Sequence, residues 1–288
     1  MSLKAWIRKA CPDKLGLLIR YYKNTGNILH FNDPKRFTEK LQLYKLEKNF
    51  PLMPVCHDKY TVHEYVKEKG YGDILVPLYQ VVEKSADLDY ESLPDKFVMK
   101  TTNWGGTNIF CFDKATFDWD AACKQLDEWV TTDVTAMTQE KSLSCKGHII
   151  VEQMLDRDEN NDLIDYRMFC FNGKLFCLQM TAEYVDDHEG GKKGWLDKDF
   201  VLMPYKNADY RSIDEQPEKP KNWEKMVQIA ETLAEGFPHV RVDLYNVDGN
   251  IHFAEMTFIS GGGYSKWEPD SFDFLLGAQF DYYGKKEK

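Results

Sequence analysis

The stretch HVRVDLYNVDGNIHFAEMTF, residues 239–258, constrains the fold more than any other part of the chain. Two runs of alternating apolar and polar residues flank an Asp-Gly pair, the pattern of an antiparallel hairpin with one face in a core. Val240, Val242 and Leu244 lie on one face of the first strand, and Arg241, Asp243 and Tyr245 on the other. A two-residue turn at Asp248 and Gly249 would then separate Asp243 from Glu255. A three-residue loop of Val247, Asp248 and Gly249 pairs Arg241 with Glu255 and Asp243 with Phe253. We expect that loop, because it gathers Arg241, Asp243, Glu255 and Thr257 on one face, half-buried by Tyr245, Ile251 and Phe253. Acids held in such a place need a cation. Two carboxylates beside an arginine suit Mg2+, which takes hard oxygen ligands and few of them from protein. Taken alone, the same residues also read as a solvated ion pair.

A length of 288 residues with 43% hydrophobic and 14% aromatic content is enough to bury a sizeable core. No apolar run reaches the ~18–20 residues of a membrane span, and the start has no signal-peptide pattern. Cysteines at 11, 56, 111, 123, 145, 170 and 177 include no C-x-x-C, which reads as buried thiols in a reducing cytoplasm and argues against structural zinc. The net charge of −10 argues against nucleic acid as a partner. Charge is uneven, however: Lys4, Arg8, Lys9, Lys14, Arg20 and Lys23 face a single acid, Asp13, in residues 1–23. That end could lie on an anionic membrane surface at the inner face, or be a first helix packed on the body with its lysines in water; the second is expected.

Helical periodicity marks FNDPKRFTEKLQLYKL, opening at Asp33 and Pro34, and HDKYTVHEYVKEKG, running from Asp58 to Gly70. It also marks DWDAACKQLDEWV and NWEKMVQIAETLAEG. Strand patterns occupy KFVMK, NIFCF, HIIVEQM, and YRMFCF with KLFCLQM across the turn signal Asn172-Gly173. EKSADLDYESLPD and YRSIDEQPEKPKN read as linkers. The mixture is α+β, without the βαβ rhythm of a Rossmann sheet. We expect a helical N-terminal region at 1–94, a subdomain with a Gly-rich loop at 95–155, and a C-terminal subdomain at 156–288.

Upstream segments could complete a Mg-nucleotide site. In KFVMKTTNWGGTNIF, Lys100 ends a strand and Gly105 and Gly106 open a short loop where backbone N–H groups can approach phosphate, although no Walker A pattern is present. Lys59 stands at a helix start, an unfavourable place for a cation unless an anion is near. Around Glu152, Gln153, Met154 and Leu155 a buried strand leaves into a polar stretch, and its backbone could face an adenine edge. Each fragment alone is equally an ordinary hairpin, helix start or core strand.

Their order is distinctive: Lys in HDKYTVHEYV, Lys in LPDKFVMK before Gly-Gly, V-E-x-x-L, DYRMFCFNGK, then R-x-D and E-x-T, and WEPDSFDFLLG. This series resembles the TupA-like ATP-grasp family of polysaccharide-biosynthesis proteins over about residues 30–280. The resemblance implies an ATP-grasp fold, two α+β subdomains clasping ATP behind a short helical region. It implies that Lys59 and Lys100 contact ATP phosphates under a loop containing Gly105 and Gly106, and that Glu152, Gln153, Met154 and Leu155 form the adenine hinge. Asp243 and Glu255, with Thr257 where such ligases usually carry Asn, would hold Mg2+, and Arg241 would join Lys100 in catalysis by steadying the transferred group. Arg167, Lys192, Lys193, Gly261 and Gly262 are candidates for substrate contact, the lysines within AEYVDDHEGGKKGW.

The activity so implied is ATP-dependent ligation of a carboxylate to an amine through an acyl phosphate, with a uronic-acid-bearing glycan or its precursor as one partner and an amino acid or other amine as the second. Two alternatives compete. Asp87-Leu88-Asp89 spells a D-x-D metal motif of glycosyltransferases, and a nucleotide-binding module without turnover would need the same phosphate site.

Overall fold

Alternation of apolar residues at 97–101 and 149–153, and again at 165–182 and 239–258, builds two separate antiparallel sheets. The computed structural model describes residues 13–158, 162–184 and 190–281. In chain order the helices are α1 Asp13–Thr25, α2 Phe37–Tyr44, α3 Leu52–His57, α4 Val62–Glu68, α5 Trp119–Thr131, α6 Val134–Thr138, α7 Trp223–Leu233 and α8 Ser271–Gln279. The strands are β1 Leu78–Val82, β2 Phe97–Thr101, β3 Asn108–Cys111, β4 Ile149–Gln153, β5 Asp165–Phe171, β6 Lys174–Ala182, β7 Lys192–Asp197, β8 Lys206–Asn207, β9 His239–Val247, β10 Asn250–Thr257 and β11 Trp267–Glu268. The small sheet has the order β1-β4-β2-β3, the large one β10-β9-β5-β6-β7, and β11 pairs with β8. The class is α+β, as expected.

Several boundaries differ from the sequence reading. α2 starts at Phe37 rather than beside Asp33, because the Glu39 carboxylate accepts the N–H groups of His30, Lys35 and Arg36 at 2.9–3.0 Å and holds that entry as coil. At 58–61, Asp58 Oδ1 accepts from the backbone of Tyr60 and Thr61, so Lys59 sits in a turn between α3 and α4 instead of in a helix. Asp118 caps α5 by accepting from Ala121 N at 3.0 Å. The acidic stretch read as a linker is folded: Leu88 and Leu93 are buried with Phe97, Met99, Ala122 and Leu126, and the β1 strand before it, unforeseen, pairs with β4. Residues 211–213 likewise run beside β7, bonded to Lys193 through both its N–H and its carbonyl.

The opening hairpin closes differently from expectation. Val247 pairs with Asn250, leaving Asp248 and Gly249 as a two-residue turn with φ of 51° and 92°. A β-bulge at Ala254 then inserts the extra residue, so that Asp243 pairs with Glu255 and Arg241 with Thr257. The acids share a face after all. Ile251 and Phe253, placed beside them by the three-residue loop, instead pair with Asn246 and Leu244 and enter the core.

The faces of the large sheet have different fates. Val240, Val242, Leu244, Met168 and Leu178 join Met226, Ile229 and Leu233 of α7 in the core, and α7 packs across β5, β6 and β9. On the other face, the end bearing His239, Phe169 and Phe171 is covered by Phe37 of α2 and Phe280 beyond α8, with Trp267 against Phe37. The end bearing Arg241, Asp243 and Tyr245 is left to the small sheet.

His239 is fully buried in that aromatic cage, with Nδ1 3.0 Å from Cys170 O. Burial pushes its imidazole down to about 3. The unfolded chain binds this proton below about 6.5 while the folded chain does not until about 3, so stability falls as pH falls through that window, by up to ~1.4 kcal/mol per unit. Urea melts between about pH 7 and about pH 4 should give a shallower acid slope for His239→Phe. Equal slopes would remove His239 as the cause.

Candidate active site

One guanidinium organises the polar half of the large sheet. Arg241 Nε donates to Asp243 Oδ1 at 2.7 Å and a second nitrogen donates to Asp243 Oδ2. That nitrogen also donates to Glu255 Oε1 and Thr257 Oγ1, each at 3.0 Å, and the Thr257 hydroxyl donates to Glu255 at 2.8 Å. Thr257 thus braces Glu255 and Arg241. Asp243 is buried, and burial pushes its carboxyl up to about 7 although Arg241 pulls the other way. Burial would also raise Glu255, but Lys59 and Arg241 outweigh it and hold that carboxyl at about 2.

The next strand adds a second cation. Arg167, paired in register with Asp243, donates to Asp165 Oδ2 at 2.6 Å and to Gln179 at 3.4 Å, with Nε 3.9 Å from Asp243. Tyr184 donates its hydroxyl to the same Asp165 oxygen. Lys193 lies on the Tyr210 ring, 3.2 Å from its centroid, and burial followed by Arg167 and Arg241 pushes its ammonium down to about 7. Lys192 instead pairs with Glu183 at 2.6 Å. Gly261 and Gly262 take left-handed φ of 56° and 61° in a turn that Gln42 pins by donating to Gly262 O and Gly263 O, so a backbone need accounts for these glycines. Of AEYVDDHEGGKKGW, residues 185–189, His188 included, lie outside the described residues.

Facing this surface, β2, β3 and β4 expose alternate residues. Lys100 meets Glu152 on the side of the small sheet away from α5. Val98, Lys100, Asn108, Phe110, Phe112, Glu152, Gln153, Met154, Leu155, Arg157, Leu163 and Tyr245 line a cleft. All four expected hinge residues are in it. Lys59 donates to Trp104 O at 2.6 Å, which ties it to the loop carrying Gly105 and Gly106. Those glycines are exposed; a Cβ on either would meet nothing within 4 Å, and Gly106 has φ of +73°. Burial lowers the Lys59 ammonium, with Lys100 acting in the same direction and Glu255 opposing.

The structure therefore brings together Lys59, Lys100, Arg167, Arg241, Asp243, Glu255 and Lys193. It leaves Lys192, Gly261 and Gly262 with partners of their own. Asp165, Gln179, Tyr184 and Tyr210 were missed, although Asp165 and Gln179 are polar residues inside otherwise apolar strands, which was a readable signal.

A family model described as TupA-like ATPgrasp matches residues 39–281, most of the chain. The chain belongs to the TupA-like ATPgrasp family. Membership fixes the fold of this ATPgrasp chain as the one expected from its sequence. Among solved structures it is similar to D-alanine–D-alanine ligase from Bacillus anthracis, at 17% identity and a TM-score of 0.45, over 80% of this chain and 66% of that one. It is also similar to phosphoribosylamine–glycine ligase from Thermotoga maritima, at 14% identity and a TM-score of 0.43, over 72% and 48%. A third is an ADP complex of N5-carboxyaminoimidazole ribonucleotide synthetase, at 15% identity and a TM-score of 0.42, over 70% and 45%. The TupA-like chain thus spans from under half to about two-thirds of these proteins' lengths. No curated protein matches it significantly.

The donor set fits Mg2+. Asp243 and Glu255 supply hard oxygens across one register step, and the buried Asp243 carboxyl has more burial than its neighbours' positive charge relieves. Among the described residues no cluster of three or more His, Cys, Asp or Glu could hold a metal, and the third carboxylate of this face, Asp165, is taken by Arg167 and Tyr184.

Proposed function

We propose that this chain is an ATP-dependent carboxylate–amine ligase that works through an acyl phosphate. The observation that carries the reading is the pairing of Asp243 with Glu255 under one arginine, with Lys59 close enough to hold Glu255 ionised. In this reading Met154 and Leu155 hold the base, and Lys59 and Lys100 bind phosphate oxygens under Gly105 and Gly106. Mg2+ on Asp243 and Glu255 would neutralise triphosphate charge. Arg167 and Lys193 hold the substrate carboxylate, since their mutual repulsion with Arg241 favours an anion there. A carboxylate oxygen attacks the γ-phosphorus, the bond to ADP breaks, and Arg241 steadies the charge on the transferred phosphoryl group. A neutral amine then attacks the acyl carbon, phosphate leaves, and the amine loses a proton to give the amide. No covalent nucleophile from the protein is needed.

We assign a uronic-acid-bearing glycan or its precursor as the carboxylate and an amino acid as the amine, following the family's association with polysaccharide synthesis. A cytoplasmic setting and the division at 1–94, 95–155 and 156–288 belong to the same proposal, with Leu78–Val82 lent by the first region to the small sheet. The D-x-D motif has another use: Leu88 is buried, and Asp87 is 3.5 Å from Lys84.

ADP release should appear with Mg2+ for at least one pair in a matrix of uronic acids and amino acids. ATP binding without ADP for any pair would leave a nucleotide-binding module. Protection against heat by UDP-sugars in place of ATP would favour the glycosyltransferase.

A further inference from the structure

Helix α1 is apolar on two opposite sides. One side docks: Leu17 and Tyr21 are fully buried with Leu29, and Gly16 lies so close to Gln139 that a Cβ would come within 2.4 Å of its amide nitrogen. The Tyr21 hydroxyl is 2.8 Å from Thr38 Oγ1, Lys141 pairs with Asp13 at 2.8 Å, and Arg20 donates to Met137 O. These bonds fix the rotation of the helix. Its outer side therefore stays outward, and there Leu15, Ile19 and Tyr22 follow at i, i+4 and i+7 with exposures of 48%, 57% and 62%. Ile28, just past the helix, is 67% exposed. Exposed Lys14 and Lys23 stand on either flank of the stripe.

Charge selects the occupant. The chain as a whole is at −10, yet residues 1–23 carry six basic residues and one acid. A second copy seated on this stripe would press two basic ends together. Residues 1–12 folded back on it would bring Lys4, Arg8 and Lys9 against Lys14 and Lys23. An anionic surface meets no such repulsion, and lysines flanking Leu, Ile and Tyr can reach lipid phosphates while the apolar groups enter the acyl boundary. The acidic remainder would be repelled from the same surface, which orients the molecule with α1 downward. No described helix is long and apolar enough to cross a membrane, so the contact is peripheral.

We propose that the outer face of α1, with Ile28, docks on the headgroup region of an anionic lipid bilayer. This is independent of the ligase reading, since none of these side chains lies in the active-site cleft.

The test is vesicle sedimentation of the full chain with phosphatidylcholine alone and with phosphatidylglycerol added, at low and high salt. Two multiple variants accompany it: Leu15→Ser with Ile19→Ser and Tyr22→Ser, and Lys14→Glu with Lys23→Glu. Binding is expected only to the anionic vesicles, weakened by salt, and lowered at least ~10-fold by either variant. The serine variant should melt as the parent does, because the stripe is exposed. Failure to bind anionic vesicles overturns the proposal. So does a dimer that the serine variant dissolves, which would mean a second copy, or a lower melting temperature in that variant, which would mean an internal cover. Binding lost only in the glutamate variant would mean a purely electrostatic contact in which the apolar stripe takes no part, and also overturns it.

Discussion

Asp243→Asn and Glu255→Gln should each lower ADP release by at least ~100-fold, with little change in stability for Glu255→Gln and a loss of about 1–3 kcal/mol for Asp243→Asn. Each change keeps the shape of the side chain and removes one negative charge from the face that would carry the triphosphate's cation. Asp243 is held by two bonds from Arg241, and an amide keeps an oxygen for only one of them. Glu255 keeps its acceptor for Arg241 and Thr257 as glutamine, so its fold contribution changes less than its charge. The informative measurement is ADP release alongside a urea melt for each variant. Rates within a few-fold of the parent, with both variants folded, would rule out these carboxylates as the cation's ligands. Loss of rate together with loss of folding would be settled by adding Mg-ATP: a folded variant that still binds nucleotide places the defect in turnover.

Inserting one alanine after Ala254 should abolish both the site and most of the stability. The bulge is one residue long, and it sets which side chains of β10 face the core. With one residue more, either Glu255 and Thr257 rotate into the core in place of Met256 and Phe258, or Ile251 and Phe253 leave it. The first buries a carboxylate away from Arg241, at a cost of several kcal/mol. The second exposes two large apolar side chains, at about 1.5–3 kcal/mol each. Either loss is a large part of the ~5–15 kcal/mol that holds a typical domain together. Deleting Ala254 instead sets Phe253 next to Glu255, which keeps the alternation and the pairs Leu244–Phe253 and Asp243–Glu255, so it should be far milder. Soluble yield and urea melts of the two variants would show the contrast. An insertion variant as stable as the parent would mean that β10 tolerates both registers.

The same bulge marks where reading the sequence stopped. Alternation in 239–258 showed that Arg241 and Asp243 share a face, and the polar content of 255–257 required those residues to join them. Both a longer turn and a bulge satisfy that requirement. Asp248 and Gly249 are well suited to left-handed φ, and the two-residue turn took them, leaving the extra residue for Ala254. In the same way Leu78–Val82 carries too weak an alternation to stand out. It becomes a strand because β4 has an open edge there and Leu88 and Leu93 complete the core behind it. Arg167 was visible as a cation in an apolar strand. Its fixation by Asp165 and Gln179 needed the register of β5 against β6.

By itself the sequence determined the α+β class, the helices at 119–131 and 223–233, the hairpins at Asn172-Gly173 and Asp248-Gly249, and the family. These follow from local periodicity, capping and turn chemistry, which act over a few neighbouring residues. Tertiary structure alone decided that one end of the large sheet closes over His239 with aromatic rings while the other stays polar and open. It also decided where the extra residue of β10 would go. Both depend on how side chains far apart in the chain fill a shared volume, and that has no signature in any single stretch.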